Sequence, residues 1–183
     1  MAKNYSTKLV AGIAVLNLIL VGALFYWFAV RGTPADELVD QRCNTKLLES
    51  ELLGQPLPKY QFADRQGADA YQRLTHGKVL IIVFLTHCPA CLAEFKLLEQ
   101  HAAEIAPAFK VVAITSESGG IVEQFMDARK LSFPVYLDVR GSLMLEARVS
   151  CTPTLLFLND GIVRRVKIGK ADNYEEIMEG FQS

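Results

Sequence analysis

Val79-Leu80-Ile81-Ile82-Val83-Phe84-Leu85-Thr86-His87-Cys88-Pro89-Ala90-Cys91 is the stretch from which the rest of the chain can be read. Val79–Leu85 is a continuous apolar run rich in Val and Ile. It lacks the polar alternation of a half-exposed strand, so it reads as a strand buried on both faces of a parallel sheet, with helices flanking it. Beyond it Cys91, Phe95, Leu98, Ala102 and Ile105 recur at alternating steps of four and three, the buried stripe of a helix that ends before Pro107. The pair Cys88 and Cys91 therefore falls where a strand ends and a helix begins.

That placement gives the pair its chemical reading. If Cys88 caps the helix, Pro89 takes the first helical position, where its fixed φ helps and its missing N–H costs nothing. Cys88 then faces unpaired backbone N–H groups and the positive end of the helix dipole. Both stabilise a thiolate, so Cys88 is the expected attacking sulfur. Cys91, about one turn on, is placed to resolve a mixed disulfide formed on Cys88. The competing readings are a permanent staple or half of a zinc site. A zinc site would want a second Cys or His pair at similar spacing, and the sequence has none.

Working outward, the alternation continues with Val111–Thr115 as strand, Ile121–Lys130 as helix, Val135–Leu137 as strand and Leu143–Ala147 as a short helix. Thr154–Leu158 and Ile162–Ile168 flank Asn159-Asp160-Gly161, a turn signal for an antiparallel hairpin. A helix over Tyr174–Phe181 closes the chain. The expected class is α/β, a three-layer sandwich with a central mixed sheet between helices.

Toward the N-terminus, Leu9–Val30 carries no charge and is long enough to cross about 30 Å of hydrocarbon. Tyr26 and Trp27 suit an interfacial belt. Lys3 and Lys8 precede the run, and acidic Asp36, Glu37 and Asp40 follow it, which places the N-terminus in the cytoplasm. A cleaved signal peptide is the alternative, but the run exceeds the usual length of about 7–15 residues. The expected organisation is a cytoplasmic tip and anchor over 1–31, a juxtamembrane stalk over 32–58 with a helical stretch near Leu38–Leu53, and a folded domain over 59–183. That domain would lie outside the cytoplasm, in the periplasm or an equivalent space, on a single-pass anchor in the cytoplasmic (inner) membrane.

With 183 residues there is room for one ordinary domain plus an appendage, and a formal charge of -1 without charge blocks carries no nucleic-acid signal. Four cysteines are too few for a disulfide-built scaffold.

From about Gln61 to Phe181 the sequence resembles the thioredoxin superfamily, specifically the membrane-tethered TlpA/ResA-like thiol:disulfide oxidoreductases of bacteria. The pieces that carry the resemblance are Cys88-Pro89-Ala90-Cys91 followed by Glu94-Phe95, the segment Phe133-Pro134-Val135-Tyr136-Leu137-Asp138, and Thr152-Pro153-Thr154 ahead of a strand. The resemblance implies a redox-active disulfide between Cys88 and Cys91, and a cis bond before Pro153. It also implies a strand–helix unit beyond plain thioredoxin, supplied by Val111–Lys130 and its neighbours, and a glutamate, Glu94, beside the active site. His87 and Thr152 are auxiliary candidates. Partners would be cysteine-containing exported proteins, apocytochromes among them, and a membrane electron donor or acceptor; no cofactor and no metal are called for. Three departures stand out. His87 occupies a position where the family often has Trp, Pro89-Ala90 replaces Gly-Pro, and Ile82 stands where cytoplasmic thioredoxins bury an acid.

Two other classes of function use the same residues. One is a copper-handling protein that binds a soft ion through Cys88, Cys91 and His87 or Cys151. The other is an assembly factor that keeps the fold for docking. Cys151, two residues before Pro153, reads as buried packing, a third redox thiol or a soft-metal ligand. A Cys43–Cys151 bridge is the less attractive pairing, because Cys43 belongs to the expected stalk.

Overall fold

The protein is described from a computed structural model that covers residue 43 and residues 45–145 and 149–182, with residues 17, 20–23 and 26 of the N-terminal run. The expected span Leu9–Val30 lies largely outside these residues. Among the described residues no helix is long and apolar enough to cross a membrane. The chain divides into two units, Met1–Arg42 and Cys43–Ser183, and the second holds the fold described below.

Its elements are α1 (Thr45–Leu52), β1 (Phe62–Ala63), a 3-10 turn (Tyr71–Leu74), β2 (Lys78–Val83), α2 (Pro89–Gln100), α3 (Ala102–Ile105), β3 (Lys110–Thr115), α4 (Gly119–Arg129), β4 (Val135–Asp138), α5 (Ser142–Leu145), β5 (Thr154–Asn159), β6 (Ile162–Ile168) and α6 (Tyr174–Glu179). They build one mixed sheet in the order β1-β4-β3-β2-β5-β6. The pairs β2–β3 and β3–β4 are parallel, whereas β2–β5, β5–β6 and β1–β4 are antiparallel. The strand and helix pattern expected from the sequence is present, including strand β3, helix α4 and strand β4.

Strand β2 is central and buried on both faces, which is why it reads as an unbroken apolar run. Val79, Ile81 and Val83 join one core with Leu48, Leu52, Val112, Ile114 and Leu156. Leu80, Ile82 and Phe84 point the other way, into a second core with Cys91, Phe95, Leu98, Phe133 and Phe157. The β5–β6 turn places Asp160 at φ 48 and Gly161 at φ 76, so both central residues adopt the left-handed region that a two-residue hairpin requires.

The strand β1 and the 3-10 turn were not expected. Each is too short to show a period in the sequence. The expected stalk over 32–58 also differs. Its second half packs into the domain, with Leu48, Leu52 and Leu57 buried. The Gly54 N–H donates to the Val163 carbonyl at 2.8 Å, and the Val163 N–H donates to Gln55 at 3.0 Å. A short amphipathic helix beside an edge strand gains more from burying its leucines than from standing free, because isolated helices of this length are marginal in water.

One consequence is a correction to the cysteine pairing. With α1 held along β6, Cys43 reaches the chain ahead of β5, and Cys43 and Cys151 are joined by a disulfide at a Cα–Cα separation of 5.6 Å. Cys151 is thus neither a free packing thiol nor a thiolate open to a soft metal. The bridge closes a loop with a sequence separation of 108, which in chain-entropy accounting stabilises the fold by roughly 4–5 kcal/mol.

Gly180, just after α6, offers a direct test of packing. A Cβ added there would overlap the ring of Phe157, which is fully buried. Gly180→Ala is expected to destabilise the domain by about 1–3 kcal/mol through overpacking. Urea unfolding with an unchanged slope and a lower midpoint would show it, and an unchanged midpoint would contradict the packing described.

Candidate active site

The site forms at the carboxyl ends of β2 and β3, where parallel strands hand over to helices. Cys88 is the N-cap of α2, with φ -81 and ψ 113, and Pro89 opens the helix. The Cys91 N–H donates to Cys88 Sγ at 3.2 Å. When protonated, Cys88 Sγ–H donates to the Thr152 carbonyl at 3.4 Å. The Thr152–Pro153 peptide is cis.

The two thiols are driven apart in acidity. Burial alone would raise Cys88, but the Cys91 thiol, the Thr152 side chain and the backbone N–H groups of Cys91 and Ala90 outweigh it. The result lies below the ordinary cysteine value. Cys91 is fully buried on the inner face of α2, and burial followed by its contact with Cys88 pushes it up to about 12. Both thiols are free. One accessible, acidified sulfur beside one buried, protonated sulfur suits stepwise exchange.

Glu94, on the same helix, is only 1% exposed. Its Oε2 accepts from the Ala171 N–H at 2.7 Å in the β6–α6 connection. Its Oε1 is buried without a partner among the described residues. Burial pushes this carboxyl up to about 7 against the pull of the Ala171 N–H and of Lys167 and Lys170. A solvated surface charge is therefore not its role. Ile82, where an acid would stand in cytoplasmic thioredoxins, is fully buried and apolar.

His87 lies 77% exposed beside Cys88, with Nδ1 3.5 Å from Glu117 Oε1. Glu117 was not singled out from the sequence. It accepts from the Thr86 N–H at 2.6 Å and from Thr86 Oγ1 at 3.0 Å, which pins the chain just ahead of Cys88. The available signal was its position two residues past the end of β3, since loops following adjacent parallel strands converge at one sheet end.

A cleft of about 470 Å³ lies at the opposite end of β3, lined by Leu98, Ile105, Phe109, Phe133 and Tyr136. It is remote from the cysteine pair. Among the described residues no group of three His, Cys, Asp or Glu side chains could hold a metal ion. The bridge to Cys43 also removes Cys151 from any copper set built on the pair.

Comparison with known proteins agrees with this geometry. The chain is 34% identical over 100 residues to the sporulation thiol-disulfide oxidoreductase A of Bacillus subtilis, covering 51% of this chain and 61% of that protein. It is 30% identical over 96 residues to the thiol:disulfide interchange protein DsbE of Escherichia coli, covering 50% of this chain and 48% of that protein. The chain thus spans about half to three fifths of the length of these relatives. The crystal structure of StoA from Bacillus subtilis superposes with a TM-score of 0.56 at 27% identity, covering 66% of this chain and 94% of that one. A Chlorobium tepidum structure described as a DsbE-type protein shares the fold, with a TM-score of 0.61 at 22% identity, over 71% of this chain and 94% of that one. Residues 52–179 match the Redoxin family, and the chain belongs to that family as a TlpA/ResA-like member of the thioredoxin superfamily.

Proposed function

We propose that this chain is a membrane-anchored, extracytoplasmic thiol:disulfide oxidoreductase that exchanges disulfides with exported proteins through Cys88 and Cys91. The observation that carries the reading is the capping geometry, with an acidified Cys88 at the start of α2 and a buried, protonated Cys91 one turn behind it. In the reducing direction the Cys88 thiolate attacks one sulfur of a substrate disulfide. The other substrate sulfur leaves as a thiolate and takes up a proton. Cys91 then loses its proton and attacks Cys88, the second substrate thiol departs, and Cys88–Cys91 closes as a disulfide. Two electrons have moved from the pair to the substrate, and a membrane electron donor restores the dithiol. The oxidising direction is the same sequence reversed, with a membrane acceptor.

The Cys43–Cys151 bridge supports the compartment, because stable disulfides belong to oxidising spaces. The charge asymmetry around Leu9–Val30 supports the anchor and its direction. The names of the similar oxidoreductases support the activity.

Trapping tests the proposal. Full-length Cys91→Ser expressed in a cell with an intact export pathway is expected to accumulate mixed disulfides between Cys88 and exported proteins, with apocytochromes c the first to be sought. Cys88→Ser should accumulate none. Reducible adducts that are equally abundant in both variants, or absent from both, would overturn the assignment.

A further inference from the structure

The loop that presses Thr152 against Cys88 is the loop that carries the second disulfide. Cys88 Sγ lies 3.4 Å from the Thr152 carbonyl oxygen. Backbone dimensions then place the Cys151 Cα within about 10 Å of that sulfur. Cys151 is half-exposed, in irregular chain between α5 and β5. A nucleophilic thiol and a disulfide thus share one end of the sheet.

Both flanks of the bridge are also anchored to the domain. Its two ends are held by contacts that do not depend on the S–S bond. On the Cys43 side, Leu48, Leu52 and Leu57 are buried in the core, and the Leu57 N–H donates to the Gly161 carbonyl at 2.8 Å. On the Cys151 side, Thr154 Oγ1 donates to the Cys151 carbonyl at 2.7 Å, and the Gly169 N–H donates to Pro153 at 2.8 Å. Reduction would leave the two thiols near one another, so reoxidation needs no search through unfolded conformations.

We infer that Cys43–Cys151 is a second redox-active disulfide, an internal substrate of the Cys88/Cys91 pair rather than an inert staple. The inference rests on the exchange activity proposed above. The Cys88 thiolate attacks Cys151 Sγ, breaking the Cys43–Cys151 bond, and Cys43 leaves as a thiolate that takes up a proton. Cys91 then loses its proton and attacks Cys88, breaking the Cys88–Cys151 bond, and Cys151 leaves as a thiolate and is protonated. The net change is a dithiol at Cys43 and Cys151 and a disulfide at Cys88 and Cys91. Two electrons pass within the chain and no outside reductant is consumed. The domain accordingly holds four electrons when fully reduced, and the pair can be discharged onto its own second disulfide.

The test follows each cysteine of the full-length protein by differential alkylation and mass spectrometry while a limiting small dithiol is added to the fully oxidised form. Reduction of Cys43–Cys151 should be about tenfold faster or more in wild type than in Cys88→Ser, because the pair relays the electrons. Wild type carboxamidomethylated at Cys88 should behave as the Cys88→Ser variant does. In Cys43→Ser/Cys91→Ser, mild oxidation should give an intramolecular Cys88–Cys151 peptide. Bridge reduction that is equally fast with and without Cys88, together with no Cys88–Cys151 peptide, overturns the inference. A parallel assay of Cys43→Ser/Cys151→Ser against an external protein disulfide separates the two proposals. Exchange there with no relay to the bridge removes only this inference, whereas inactivity in both assays removes the proposed function as well.

Discussion

Replacing Cys88 by serine is expected to bring thiol:disulfide exchange down to the uncatalysed level, a loss of at least about a thousandfold, with folding intact. Serine keeps a side-chain oxygen at the N-cap position, one of the favoured capping groups, so α2 should still start at Pro89. What disappears is the only accessible sulfur of the pair, since Cys91 is buried and its thiol is pushed up to about 12. The same geometry fixes the pH profile of the wild type. Exchange should rise as Cys88 ionises and reach half its maximum below the ordinary cysteine value, while Cys91 stays protonated across the range. Initial rates against a protein disulfide from pH 5 to pH 9, read beside alkylation rates at each cysteine, would check both statements. A Cys88→Ser variant that loses clearly less than about a thousandfold in rate would contradict them.

Glu94→Gln is expected to change stability as much as any single substitution at the site. The Glu94 carboxyl titrates near 7 in the folded chain against an ordinary value of 4.5. Between those values the unfolded chain has released the proton and the folded chain still holds it. The unfolded state therefore binds fewer protons, and stability falls as pH rises from about 4.5 to 7, then levels off. The difference of about 2.5 pH units corresponds to about 3 kcal/mol lost from this group at pH 8. Glutamine is nearly the same size, can still accept from the Ala171 N–H and carries no charge to bury. The variant should match the wild type at pH 5 and exceed it by up to about 3 kcal/mol at pH 8. Denaturant unfolding at those two values is the measurement. Equal pH dependence in both proteins would show that the buried carboxyl is not the source.

The parts of the fold that could be read from the sequence are those with a strong period or a tight local signature. Val79–Leu85 showed its double burial because no residue in it is polar, and the stripe from Cys91 to Ile105 showed which side of α2 faces inward. Pro89 made the cap at Cys88 legible. The rest depends on segments that meet only in space. Glu94 sits beside the buried stripe, yet its burial is decided by the connection at Ala171, 77 residues on. Glu117 gains its role only because β3 lies next to β2, which puts it 31 residues from the Thr86 that it holds. The Cys43–Cys151 pairing is a connectivity that sequence does not specify. The residues around Cys43 read as a stalk because their leucines find partners only once β6 is beside them.

The same bridge has a mechanical meaning. If tension is applied between the N-terminal segment and the C-terminus, it passes from Cys43 to Cys151 through the covalent bond and then into β5, so the chain between the two cysteines, with a sequence separation of 108, lies outside the covalent load path. The cysteine pair, α2 and the parallel strands lie inside that loop. A stretched molecule would lengthen only by what lies outside the bridge, and its reduction would release roughly 360 Å of extra contour at about 3.4 Å per residue. The segment that holds Cys88 and Cys91 thus stays out of the covalent path of such a pull for as long as Cys43 and Cys151 stay oxidised.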